Sequence, residues 1–260
     1  MKKRKAPKSP GARPVPKEGY PMRINKYLAR EGVATRHGAD GLVERGGVLI
    51  NGRVARLGDK VDEGDRVELR GAPSAKRSYY FAYNKPVGVI THSPQNGERD
   101  IRGSIKFPKG IEGVFPVGRL DKDSHGLIIL TNDGRVTDRL LNPEYEHDKE
   151  YRVRVEEALR DSFKKTMEAG VNIEGYVTEP CKIRKTGERT FSITLSEGKK
   201  HQIRRMVAAL HNVVLDLERV RIMNITLGKL PAGQWRPIEG EELETFLAAL
   251  RLPAGTQEAG

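Results

Sequence analysis

At 260 residues, with 37% of them apolar, the chain has the length and the hydrophobic content for one small and one ordinary domain. Its 47 Lys and Arg against 35 Asp and Glu leave a net charge of +12, which points to a polyanionic partner, nucleic acid ahead of an anionic membrane. No run approaches the ~20 apolar residues of a membrane span; the single cysteine, Cys181, excludes an internal disulfide or thiolate cluster; and the six histidines show no metal-ligand spacing, so a cytoplasmic protein with no membrane and no metal is expected.

Residues 1–20 carry seven basic residues, four prolines and one acid, and lack the apolar stretch of a signal peptide. They read as a disordered basic tail, serving as a solubilising arm or as a weak, sequence-independent attraction to phosphate. From Met22, Ile24 and Leu28 and then Ala39, Leu42 and Val43 fall at helical spacing, which predicts two short helices. Gly38 and Gly41 each cost the second helix about 1 kcal/mol relative to Ala, which predicts a short helix or an altered contact surface. Val48-Leu49-Ile50 runs into Asn51-Gly52, a strong hairpin signal, and Arg66 to Leu69 supplies another strand, closing a module over 22–69. Residues 70–78 are small, basic and aperiodic, as in a linker.

A second domain is expected over 79–250, with residues 251–260 as a C-terminal tail. Aromatic content predicts a strand at 79–83, ended by Asn84-Lys85-Pro86-Val87-Gly88. A helix at 135–141 follows the capping residues Asn132 and Asp133, and Lys149 to Val155 alternates as a strand. Leu159, Phe163 and Met167 recur every fourth residue, and Gly170 marks the helix stop. Phe191, Ile193 and Leu195 alternate as a strand; Ile203, Met206, Val207 and Leu210 form the apolar face of a helix. Strands through 221–224 and 234–236 precede a closing helix carried by Leu243, Phe246, Leu247 and Leu250. Strands and helices without strict alternation predict an α+β domain.

The most charged stretch is 116–134. Arg119, Asp121, Lys122, Asp123 and His125 crowd seven positions, and Leu127 to Leu130 then runs apolar, as a strand buried on both faces would. On spacing alone a solvated loop before a core strand reads the same way. The letters say more: Gly118-Arg119-Leu120-Asp121, followed by Lys122-Asp123, Gly126-Leu127 and Leu130-Thr131-Asn132-Asp133-Gly134, resembles the catalytic signature of the RsuA/RluB/RluF family of RNA pseudouridine synthases. Asn84 to Gly88, Lys149-Glu150-Tyr151, Glu197 to Met206 and Arg221-Ile222-Met223-Asn224 carry the same resemblance in order, and it spans roughly 22–250. The last motif, with Thr178 to Cys181, is most similar to the subgroup that modifies large-subunit (23S) ribosomal RNA. Residues 23–36, 48–54 and 58–61 resemble the alpha-L RNA-binding domain of ribosomal protein S4.

The resemblance implies an S4-like RNA-binding domain followed by a catalytic domain built on a mainly antiparallel mixed sheet. It implies a monomer without cofactor that isomerises uridine in ribosomal RNA, free or in an assembly intermediate, with Asp121 as the essential carboxylate. Arg204 would pair with Asp121, Tyr151 would stack under the uracil, and Arg119 would fill the gap left by the flipped base. Leu195 would wall the base pocket, and Arg23, Lys26, Arg30, Arg36, Arg45 and Arg53 would contact phosphate. On the residues alone, Arg204 reads as a surface helix charge, Tyr151 as an inward strand tyrosine and Leu195 as core. Asp121 and Asp123 could be misread as a glycosidase pair; Asp123 is assigned to the turn. The competing reading is a non-catalytic ribosome-associated protein that only binds RNA.

Overall fold

The computed structural model describes residues 20–31, 33–34, 36–70, 77–91 and 99–253. The expected tail up to residue 19, the linker over 71–76 and the C-terminal segment from 254 lie outside the described residues.

The N-terminal module comprises β1 (Met22–Arg23), α1 (Ile24–Arg30), α2 (Arg36–Glu44), β2 (Val48–Ile50), β3 (Arg53–Val54), β4 (Lys60–Val61) and β5 (Val67–Leu69). Strand β2 pairs antiparallel with β3 and β5, and β1 with β4. Asn51 and Gly52 both take positive φ in the β2–β3 turn, the conformation that Asn-Gly predicts. Helix α2 forms over nine residues despite Gly38 and Gly41, because Ala39 and Val43 bury against Ile24, Leu28 and Val48 and tertiary packing outweighs propensity.

The larger part is one nine-stranded sheet. It contains β6 (Tyr80–Lys85), then, after the single-turn α3 (Ile101–Ser104), β7 (Phe115–Val117) and β8 (His125–Thr131). Helix α4 (Gly134–Leu141), β9 (Lys149–Val155), α5 (Phe163–Glu168), the small hairpin β10 (Asn172–Ile173) with β11 (Tyr176–Val177), and β12 (Lys182–Gly187) follow. The chain ends through β13 (Thr190–Leu195), α6 (Gln202–Ala209), β14 (Val214–Ile222), β15 (Ile225–Thr226), β16 (Trp235–Pro237) and α7 (Gly240–Ala249). Sheet order is β12-β13-β9-β14-β8-β6-β16, with β15 beside β14 and β7 beside β8. Every pairing is antiparallel except β14 with β8.

Strand β8 is buried on both faces, as its apolar run predicts. Leu127 and Ile129 join Tyr80, Val136, Leu140 and Phe246 beneath α4 and α7, while Ile128 and Leu130 join Phe81, Ile101 and Trp235 on the other face. A third cluster seats α5 and α6 against β9 and β13 through Phe163, Met167, Phe191, Met206 and Val207. Asp133 caps α4 by accepting from the Arg135 N–H, whereas Asn132 accepts from the Tyr79 N–H and ties β6 to the end of β8.

Three element boundaries differ from the sequence pattern. Strand β6 continues through Asn84 and Lys85, since both still pair with β8. Leu159 precedes α5, its N–H donating to Glu188 O, so its burial comes from the loop and not from a helical face. Strand β14 stops at Ile222; Met223, at φ 53°, and Asn224 form the turn into β15.

Candidate active site

Asp121 sits in the loop between β7 and β8, on the side where β8 meets its parallel neighbour β14. The register puts Arg219 of β14 opposite Gly126 of β8 on one side and Tyr151 of β9 on the other, which fixes the distance between the loop and Tyr151 through the sheet. At Gly126 (φ 103°) the strands approach so closely that a Cβ would lie 2.4 Å from Arg219 O. Glycine is the residue that permits both.

The loop's backbone is held at nearly every carbonyl. Arg219, 4% exposed, donates from Nε to Leu127 O at 2.7 Å and from Nη1 to Arg119 O at 3.4 Å. Thr91 Oγ1 donates to Leu120 O at 2.9 Å and accepts from the Leu120 N–H at 3.1 Å. The Gly88 N–H donates to Lys122 O at 2.8 Å, and the Ser124 N–H closes a turn on Asp121 O. Arg204 donates from Nη2 to Asp123 O at 3.0 Å and Ser124 Oγ at 3.3 Å, and from Nη1 to Val214 O at 3.2 Å.

That last set corrects the expected Arg204–Asp121 ion pair. Two edges of the guanidinium are committed to main-chain carbonyls that need donors, so Arg204 braces the loop from behind. The basic side chain that does face Asp121 is His201, with Nε2 3.4 Å from Asp121 Oδ1. Both side chains stay accessible, at 47% and 40% exposure, and His201 caps α6 from a left-handed backbone (φ 51°). A non-glycine residue in that conformation is stored strain of the kind that collects at functional sites.

Two lysines lie near the site, Lys85 buried and Lys149 partly buried. Lys85 is fully enclosed and donates to Pro86 O and Val89 O at 2.9 and 2.6 Å. Burial pushes its ammonium down to about 8, against the opposing pull of the Asp121 and Asp123 charges. Lys149, which donates to His147 O, is likewise lowered to about 8, by burial first and by the Arg219 charge second.

Arg119, Asp121, Tyr151 and Leu195, gathered from one loop and two strands, line a single cavity of about 430 Å³ together with Ser124, Leu217 and the 197–203 segment. Glu197 shapes that segment by accepting from the Tyr176 hydroxyl, the Glu179 N–H and the Gln202 amide. A second chamber of about 490 Å³ shares Arg119, Tyr151 and Glu197 and reaches Lys149 and Arg219. Of the expected phosphate contacts, Lys26, Arg30 and Arg36 face a separate cleft against the catalytic part; Arg53 pairs with Asp59 at 2.8 Å, and Arg23 and Arg45 are exposed outside that cleft. Sequence reasoning missed Lys85, Thr91, His201 and Arg219 as parts of the site. Asn-Lys-Pro-x-Gly and His-Gln-Ile-Arg were visible signals for Lys85 and His201; Thr91 and Arg219 reach the loop only through tertiary contact.

A sheet with a carboxylate loop at its centre, beside a small helix-hairpin module, is the architecture of an RNA-modifying enzyme with an appended RNA-binding domain. Residues 79–209 match the RNA pseudouridylate synthase family and residues 22–67 match the S4 domain. The chain is 42% identical over 226 residues to the dual-specificity RNA pseudouridine synthase RluF of Shigella flexneri, covering 85% of this chain and 77% of that one. It is 33% identical over 235 residues to the ribosomal large subunit pseudouridine synthase B of Bacillus subtilis (strain 168), covering 87% and 96%. A crystal structure of a pseudouridylate synthase superposes with a TM-score of 0.64 at 27% identity, over 88% of this chain and 99% of that one. The chain belongs to the RNA pseudouridine synthase family and carries an N-terminal S4 domain. With relatives named as enzymes and Gly118 to Asp121 intact, the binding-only alternative has no support.

Proposed function

We propose that this enzyme converts a specific uridine of ribosomal RNA, in the large subunit (23S), to pseudouridine, acting as a cytoplasmic monomer on RNA or on a ribosomal assembly intermediate. The observation that carries the assignment of residues is that Arg119, Asp121, Tyr151 and Leu195 line one cavity beside a braced loop. The match of Arg221 to Asn224 to the large-subunit subgroup supports the choice of RNA.

A uridine in folded RNA must be flipped out to reach Asp121. Arg119, exposed and two residues from the carboxylate, enters the vacated stack, and its exposure supports that role. In the cavity Tyr151 lies against the uracil ring, with Leu195 as an apolar wall. The ionised Asp121 carboxylate either attacks the anomeric carbon or takes a proton from the sugar as the N1–C1′ bond breaks. The detached uracil turns, C5 bonds to C1′, the C5 proton leaves, and N1 ends protonated. The atoms balance without redox change or an imported group, so the reaction calls for no cofactor. In division of labour, residues 22–69 supply RNA affinity and residues 79–250 the chemistry.

Mapping pseudouridine across ribosomal RNA from cells with and without the gene tests the substrate. Loss of modification at one or a few 23S positions is expected; an unchanged 23S map would overturn the assignment.

A further inference from the structure

A cavity larger than the one at Asp121 lies elsewhere among the described residues. It is a cleft of about 920 Å³ between the S4 domain and the catalytic domain, walled by α1 and α2 on one side and by α3, α4 and the segment before β7 on the other. Its volume lies in the range of ligand sites, roughly 300–1,000 Å³. The floor is apolar and partly open, formed by Ile105, Phe107, Phe115 and Leu141, the last 41% exposed. Around it stand Lys26, Arg36 and Arg102, none with an ion-pair partner among the described residues, and Asp138 is the one acid among the described lining residues.

We propose that this cleft is a second nucleotide site, holding an unstacked base of the same RNA that presents the target uridine. Cations around an aromatic and aliphatic floor suit single-stranded nucleic acid: the phosphates meet Lys26, Arg36 and Arg102, and the base lies on the apolar surface without sequence readout. The cleft also adjoins the active centre. Leu141 and Asn142, at the C-terminal end of α4, line both the cleft and the chamber that contains Tyr151 and Arg219. Leu141 covers Gly118, one residue from Arg119, its Cδ2 3.1 Å from where a Cβ would stand. A strand leaving the Asp121 cavity through the adjoining chamber therefore reaches the cleft past Leu141, and the two sites together hold an RNA with two displaced bases. This rests on the reading of the chain as an enzyme acting on RNA, which tritium release by the wild type checks separately.

The test measures binding of the full chain to 23S ribosomal RNA from cells lacking the gene, across a salt series. Arg102→Glu is expected to weaken binding roughly tenfold and to lower the slope of log affinity against log salt by about one. Lys229→Glu, the same charge change on an exposed residue outside the three cavities described, sets the background. Ultraviolet cross-linking from p-benzoylphenylalanine placed at position 141 should mark one nucleotide other than the target uridine. Arg102→Glu behaving as Lys229→Glu does would overturn the proposal, as would adducts that are absent, scattered or confined to the target uridine.

Discussion

The Asp121 loop and the outer face of the S4 domain both carry charge, yet they are built differently. The carbonyls of Arg119, Leu120, Lys122 and Asp123 each accept a hydrogen bond from elsewhere in the chain, and two of the donors, Arg219 and Thr91, are buried. Arg23 and Arg45 stand exposed outside the interdomain cleft, with no ion-pair partner among the described residues. Phosphate attraction depends on how many charges lie near the polymer and tolerates mobile side chains. Under the proposed function the carboxylate has to be held to within about 0.5 Å, and the buried side chains of Arg219 and Thr91 hold the loop that carries it.

The comparison breaks first at Gly126. Gly126→Ala puts a methyl group 2.4 Å from Arg219 O at φ 103°, and the clash is with backbone, which cannot step aside. A loss of about 3 kcal/mol or more of stability is expected, with turnover lost as the β8–β14 contact opens. Thermal unfolding of the variant checks it, and a melting temperature within a degree or two of wild type would show that the close approach is dispensable.

A smaller effect sharpens the comparison at Arg204. Arg204→Ala removes three donated bonds and should lower kcat roughly 100-fold, the penalty for a misplaced reacting group, while KM changes little. Arg204→Lys can satisfy one edge only and should recover a small part of the loss. Faster amide exchange at residues 121–124 in both variants would separate bracing from a direct role at the carboxylate. Equal exchange with reduced kcat would instead favour direct pairing with Asp121. The smallest effect belongs to the exposed outer face: Arg45→Ala should weaken RNA binding a few-fold and reduce the salt slope by about one, with kcat unaltered. A fall in kcat at saturating RNA would mean that this cation also orders the site.

The same contrast explains what the sequence showed. The β8 run, the Asn-Gly hairpin and the amphipathic faces of α6 and α7 were readable because each follows a local period or a local turn rule. Asp121, Arg119 and Tyr151 fall in compact motifs, and the structure brings them, with Leu195, to one cavity. The bracing was not readable. Arg219 and Thr91 act on carbonyls far away in sequence, and nothing in their neighbours' letters marks a residue that will donate across the sheet. Arg204 shows the converse: its motif placed it near Asp121, but main-chain acceptors on β14 and the loop took both edges of its guanidinium. His201 faces the carboxylate because α6 begins in a left-handed turn, a backbone feature that one histidine does not announce. Residue identity forecasts which groups gather, whereas competition among buried acceptors decides which of them touch.

Asp121→Asn tests the central claim most directly. The amide is nearly isosteric, and the loop is held through its backbone, so folding, RNA binding and base flipping should persist while the nucleophilic or basic carboxylate is gone. Tritium release from C5-labelled uridine in 23S ribosomal RNA, measured beside binding at fixed salt, should fall to background with affinity within about twofold of wild type. Substantial release by Asp121→Asn would contradict the account, and loss of binding together with release would assign Asp121 to structure instead of chemistry.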